Sequence, residues 1–215
     1  MVFNKLELIQ HRKGDEYLMN IKDYWKTIDQ YLIKYSPNTY NSLMGPASDT
    51  EIKRLMEIIK LPLPETLIQS LIIHNGQEHM LDSPSFIAYH NLLSCSDIIK
   101  VYDMMNEICP EEDDATVWYI NPDDCKYVKT NYIWNKKWIP ITEANSGDGL
   151  LIDFDPAPFG QSGQIIYRAN TPPSADKPIS NSYSDWLKTI CERLENGQFS
   201  VEDEIINIDR LIYDF

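Results

Sequence analysis

From Ile21 onward the apolar residues recur in steps of three and four: Ile21, Tyr24, Trp25, Ile28, Tyr31, Leu32 and Tyr35. That spacing lays them on one face of a helix, with Pro37 following its end. "PASDTEIKRLMEIIK" begins a second helix, with Ser48 and Glu51 placed as a capping box and Ile52, Leu55, Met56 and Ile59 as its buried stripe. A third starts at about Pro64 in "LPLPETLIQSLIIHNG" and stops at Asn75-Gly76. The period then shortens. "FIAYHNLLS" reads as a strand, and "SDIIKVYDMMNEICP" as a helix with Ser94 or Ser96 near its cap. "TVWYI", "YIWNKKWIPI", "LLIDF" and "QIIYR" read as strands between Asn, Asp, Gly and Pro turns. Last comes "NSYSDWLKTICERLENG", a helix with Trp186 or Leu187, Ile190, Cys191 and Leu194 inward and Gly197 at its end. Helices, then a meander of strands, then a helix make an α+β order without the βαβ alternation of a parallel sheet.

The 215 residues fit one domain or a domain with an appended segment, and no run approaches the length of a membrane span. "MVFNKLELIQHRKGDEY" turns to charge too early for a secretory signal, so cytoplasmic residence is the expectation. Cys95, Cys109, Cys125 and Cys191 are scattered without CxxC pairing, which suggests free, mostly buried thiols. The net charge of −14 repels phosphate backbones and favours encounter with basic proteins, although acidic surfaces also serve solubility alone.

The stretch "LLIDFDPAPFGQSGQII" carries the nearest approach to a catalytic motif. Asp153 and Asp155 alternate along a strand and could converge on a hard cation. The competing explanation is an Asp-Pro turn in which a carboxylate caps backbone amides. Gly160 and Gly163 are spaced GxxG, yet Gln164 and Ile165 stand where a phosphate loop needs Lys and Ser/Thr, and a strand follows instead of a helix. Of the histidines, His11, His74, His79 and His90, none has metal-pair spacing, and His74 fits a helix-end cap. Trp118, Tyr119, Tyr132, Trp134 and Trp138 fall on expected strands, but too few cations interleave them for a nucleic-acid platform, so they read as core. The acidic run Glu111, Glu112, Asp113 and Asp114 and the pair Asp123 and Asp124 are either solvated loops or a surface for a basic partner.

Five fragments in fixed order resemble the SUKH superfamily, in the branch holding fungal cell-wall-assembly regulators and bacterial toxin immunity proteins. They are "DYWKTIDQYL", "PASDTEIKRLMEIIKLPLPETLIQSLIIHNGQ", "NLLSCSDIIKVYDMM", "WIPITEANSGDGLLIDFDPAPFGQSGQII" and "SYSDWLKTICERLENGQF", spanning about residues 22–199. The resemblance implies a central, mostly antiparallel sheet with helices packed around it, and no catalytic activity or cofactor. It implies fold roles for particular residues. Leu63 and Pro64 open a helix, Asn75 and Gly76 close it, and Trp138 and Pro140 start the strand pair. Asp153, Asp155 and Pro156 shape its turn, and Gly163 and Gln164 begin the return strand. The segment 110–135 is longer than the usual connection and the part beyond about 200 is extra; both are acidic.

The expected organisation is an N-terminal extension (1–20), a SUKH-like domain (21–199) and an acidic C-terminal tail (200–215). The expected function is non-enzymatic: an immunity protein that neutralises a basic polymorphic toxin domain, a nuclease or another type, by stoichiometric binding. Glu111, Glu112, Asp113, Asp114, Asp123 and Asp124 are its candidate partner-binding residues. No metal, cofactor, membrane or direct nucleic-acid partner is expected. The alternatives are a regulatory scaffold of cell-wall or signalling control, and a metal-dependent enzyme using Asp153 and Asp155.

Overall fold

Residues 20–78, 85–109, 125–129, 134–169 and 177–208 are described by a computed structural model. The first helix, α1 (Ile21–Tyr35), opens on a capping box between Asn20 and Asp23 and buries Ile21, Tyr24, Trp25, Ile28 and Leu32. Ser36 ends it, and Pro37 at once starts a short second helix, α2 (Pro37–Ser42), which the sequence pattern did not indicate. The expected box of Ser48 and Glu51 opens α3 (Asp49–Ile59). Its stripe is narrower than expected: Leu55 and Ile59 are buried, whereas Met56 is 50% exposed. Pro64 is the N-cap of α4 (Glu65–Ile73), and Ser94 caps α5 (Cys95–Ile108). The last helix, α6 (Tyr183–Glu195), buries Trp186, Leu187, Ile190, Cys191 and Leu194 as its pattern requires.

The strands are β1 (His90–Leu92), β2 (Trp138–Pro140), β3 (Thr142–Ala144), β4 (Gly149–Asp153), β5 (Gln164–Arg168), β6 (Phe199–Glu202) and β7 (Ile205–Ile208). All pairings among them are antiparallel, in the orders β1-β3, β2-β4-β5 and β6-β7. Ile141 separates β2 from β3 but bonds through its N–H to the carbonyl of Leu150, so both flank β4 as one bent run. Every residue of β2, β4 and β5 is buried, which explains why "LLI" and "QIIYR" are apolar runs without alternation.

Two of the strands are shorter than the sequence suggests. "FIAYHNLLS" pairs only at His90–Leu92, because Ala88 and Tyr89 take left-handed φ of 49° and 67° and turn the chain. In "YIWNKKWIPI" pairing begins at Trp138; Lys136 and Lys137 form a turn. "TVWYI" lies outside the described residues. Residues 199–208 form the hairpin β6-β7. Ile206 and Ile208 are buried in the core, and Phe199 meets Tyr31 and Tyr35 at 5.6 and 5.3 Å between ring centroids.

Polar links tie the helices together at buried points. Trp25 Nε1 donates to Ser70 Oγ at 2.7 Å, and Ser70 in turn shares a proton with Tyr183 OH at 2.8 Å, so α1, α4 and α6 meet in one chain. Asn75 bridges two helix starts: its Nδ2 donates to Glu51 Oε1 (3.0 Å) and its Oδ1 accepts from Cys95 N (2.9 Å). Beside it Gly76 has φ 77°, and a Cβ there would lie 2.3 Å from Ser94 N, so this turn admits only glycine.

Candidate functional site

The loop from Asp153 to Gln164 joins β4 to β5, and its two aspartates serve different ends. Asp153 is fully buried. Its Oδ1 accepts from Trp138 Nε1 (3.0 Å) and from the Asp155 N–H (2.8 Å), and its Oδ2 accepts from Gln164 Nε2 (2.9 Å). Burial raises its pKa, and those three donors work against the rise. Asp155 lies nearer the surface and accepts from Lys129 Nζ (2.9 Å) and Asn135 Nδ2 (2.8 Å), with Lys137 Nζ at 3.6 Å. Partial desolvation pushes its pKa up, but the hydrogen bonds and the two ammonium charges outweigh it and leave the pKa lowered. The carboxylates therefore do not share one face toward an open site. A divalent cation between them would meet the ammoniums of Lys129 and Lys137. No cluster of three or more His, Cys, Asp or Glu suited to a metal occurs among the described residues.

The glycines of this loop have mechanical reasons. A Cβ on Gly160 would lie 2.2 Å from the carbonyl oxygen of Tyr127, and Gly163 takes φ 90° to bring its N–H to the Asp153 carbonyl at 2.7 Å. Gln164 completes the brace: Nε2 donates to the Tyr127 carbonyl (2.9 Å) and Oε1 accepts from Gln161 N (3.0 Å). The Ala157 N–H also reaches the Tyr127 carbonyl, and the Phe159 N–H reaches that of Lys126. A buried carboxylate, a glutamine and two glycines thus clamp residues 126–127 against the loop. What this clamp presents outward is aromatic. Phe159 is 74% exposed and Tyr127 39% exposed, with ring centroids 6.4 Å apart.

Leu63 and Pro64 precede α4, Asn75 and Gly76 follow it, and Trp138 and Pro140 bound β2. Asp153 ends β4, Asp155 and Pro156 begin the turn, and Gly163 and Gln164 start the return into β5. Glu111, Glu112, Asp113, Asp114, Asp123 and Asp124 lie outside the described residues, as do His11, His79, Trp118, Tyr119 and Tyr132. Trp134 and Trp138 are buried in the core. His74 caps α4 and places its ring nitrogens near the Met44 carbonyl (3.3 Å) and Asp29 Oδ1 (3.1 Å). Cys95 and Cys191 are buried thiols whose pKa desolvation pushes up to about 12, which leaves them unreactive. The sequence reading did not single out Phe159, although an aromatic between Pro158 and Gly160 in a turn was a signal for a side chain facing outward.

Residues 46–189 match the model of the SMI1/KNR4 family (SUKH-1). The chain belongs to this family. It is 24% identical over 207 residues to a cell wall biosynthesis/cell cycle regulator of Schizosaccharomyces pombe, covering 90% of this chain and 40% of that protein. It is 20% identical over 223 residues to a glucan synthesis regulatory protein of Neurospora crassa, covering 90% of this chain and 42% of the relative. A KNR4/SMI1 homolog of Debaryomyces hansenii shares 31% identity over 61 residues, 28% of this chain and 14% of its own length. The chain spans about two-fifths of the length of the first two. As an SMI1/KNR4 member it has relatives named as regulators, and the braced Asp153–Gln164 loop, with its motif residues, lies within the matched span. No helix among the described residues is long and apolar enough to cross a membrane.

Proposed function

We propose that the chain is a non-catalytic regulatory protein that acts by binding another protein one to one, and that its partner is a basic toxin domain against which it confers immunity. The observation that carries this reading is the aromatic pair Phe159 and Tyr127, exposed on a loop that Asp153, Gly160 and Gln164 hold rigid. Rigid, exposed aromatics lose little entropy on binding and anchor interfaces. Phe159 would enter an apolar pocket of the partner. Asp123, Asp124 and the run Glu111, Glu112, Asp113 and Asp114 would face the lysines and arginines that otherwise hold a phosphate backbone. The regulatory names of the relatives support binding over catalysis.

The test is co-expression with a basic toxin domain, sought first in the genes beside this one, followed by size-exclusion chromatography of the mixture. The expected outcome is rescue of growth and a 1:1 complex whose association slows as salt rises. Phe159→Ala should weaken that complex by about tenfold or more with unchanged thermal stability. Unchanged toxicity together with no complex would overturn the proposal. A second reading, control of cell-wall or glucan synthesis, is favoured by the names of the S. pombe and N. crassa relatives. Deleting the gene should then alter wall glucan content and sensitivity to a wall-binding dye.

A further inference from the structure

A second surface of the molecule is edged by lysines. Along the outer side of α1, Lys22, Lys26, Gln30 and Ile33 are all exposed, at the spacing of one helical stripe. They edge an open cleft of about 420 Å³ that Trp25 and Ile73 also line. Ile33 is 53% exposed, while Trp25 is only 1% exposed and lies at the floor. The carboxylate lining the cleft, Asp29, is turned to His74 Nε2 at 3.1 Å. Neither Lys22 nor Lys26 has a carboxylate partner among the described residues. In a chain with 33 acidic against 19 basic residues, two adjacent unpaired ammoniums beside an apolar cleft are a local reversal of the surface charge.

We infer that this cleft is a docking site for an acidic amphipathic helix of a partner protein. Apolar side chains of that helix enter between Ile33 and Ile73, and carboxylates one turn apart meet Lys22 and Lys26. The charge pattern selects the occupant: a basic segment would gain nothing from the two ammoniums, and a purely apolar one would leave them beside a dehydrated surface. The length is also set. Lys22 to Ile33 is eleven residues of helix, a rise of ~16 Å, which a partner helix of about three turns spans. The site is distinct from the aromatic loop and has the opposite preference, so it does not depend on the nature of the partner proposed there. Six of its seven lining residues are on α1, outside the residues that the family model matches, and the seventh, Ile73 of α4, lies within them.

A display library of random peptides in a helix-favouring scaffold, selected on the full-length protein, tests the inference. Selection should enrich sequences carrying carboxylates at i, i+4 spacing beside Leu, Ile or Phe. Enriched peptides, synthesised with a fluorophore, should lose at least tenfold in affinity against Lys22→Glu/Lys26→Glu and against Ile33→Asp. The milder Lys22→Gln/Lys26→Gln should lose less and remove most of the salt dependence between 50 and 300 mM. All three substitutions fall on exposed positions, and circular dichroism with a thermal melt checks that the fold is retained. Enrichment of neutral or basic sequences, no enrichment, or affinity indifferent to the charge-reversed variant would overturn the inference. So would a concentration-dependent dimer abolished by Lys22→Glu/Lys26→Glu, which would assign the cleft to a second copy of the chain.

Discussion

Asp153 shows how one residue can be read as chemistry and serve as architecture. Its carboxylate is the common acceptor for an indole, an amide side chain and a backbone N–H, and nothing else fills that role. Asp153→Asn would keep the volume but turn an NH₂ toward one of these donors, leaving it buried and unpaired. Chemical denaturation should show a loss of about 2–3 kcal/mol, and the exposed Phe159 should become more mobile by NMR order parameters. His90 supplies a second test at this scale. It is 2% exposed, its Nδ1 lies 3.0 Å from Thr142 Oγ1, and its Nε2 has no partner among the described residues. Desolvation lowers its pKa to about 4, with Asp148 opposing. In the unfolded chain the imidazole titrates near 6.5, so between those values the unfolded state binds more protons. The stability that neutral His90 contributes is present above pH ~6.5 and is lost as pH falls toward 4. The difference in unfolding free energy between the wild type and His90→Asn should therefore change by up to about 3 kcal/mol across that range; a flat difference would show that His90 does not titrate this way.

At the scale of elements, the longer helices among the described residues were legible, whereas the short α2 and the tight turns were not. Four of the described helices open on side-chain signals that need no tertiary information: the boxes of Asn20–Asp23 and Ser48–Glu51 and the caps of Ser94 and Ser182. The missed features are two-residue hairpin turns with both central residues left-handed, Ala88-Tyr89 and Asp203-Glu204. Such turns are usually announced by Asn-Gly or Gly-Gly, and here neither contains glycine. Their strain is offset by packing. The Ala88 N–H bonds to the Ile206 carbonyl, and the Ser36 hydroxyl and the Asn38 amide both hold Glu204. The β6-β7 hairpin should accordingly depend on its contact with α1. Phe199→Ala removes the ring from Tyr31 and Tyr35 and should cost about 2 kcal/mol, while Val201→Ala, at a 43% exposed position, should stay within about 0.5 kcal/mol. Equal effects of the two substitutions, measured in urea, would contradict this packing.

Across the whole molecule, charge and exposure are distributed unevenly, and function follows that distribution. The aromatic pair at the β4-β5 loop and the lysine-edged cleft on α1 lie on different elements. The sequence by itself determined the longer helices, the α+β order and the family, because local spacing and the order of its fragments carry that information. It also fixes the net charge of −14. Only the tertiary structure decided that Asp153 and Asp155 look to different donors. Trp138, Lys129 and Asn135 come from other parts of the chain, and the electrostatics of a carboxylate depend on whatever folding brings to it. The same holds for the two surfaces. Whether Phe159 faces solvent, and whether Lys22 and Lys26 find carboxylates, are properties of neighbours distant in sequence, which periodicity along one strand or helix does not encode.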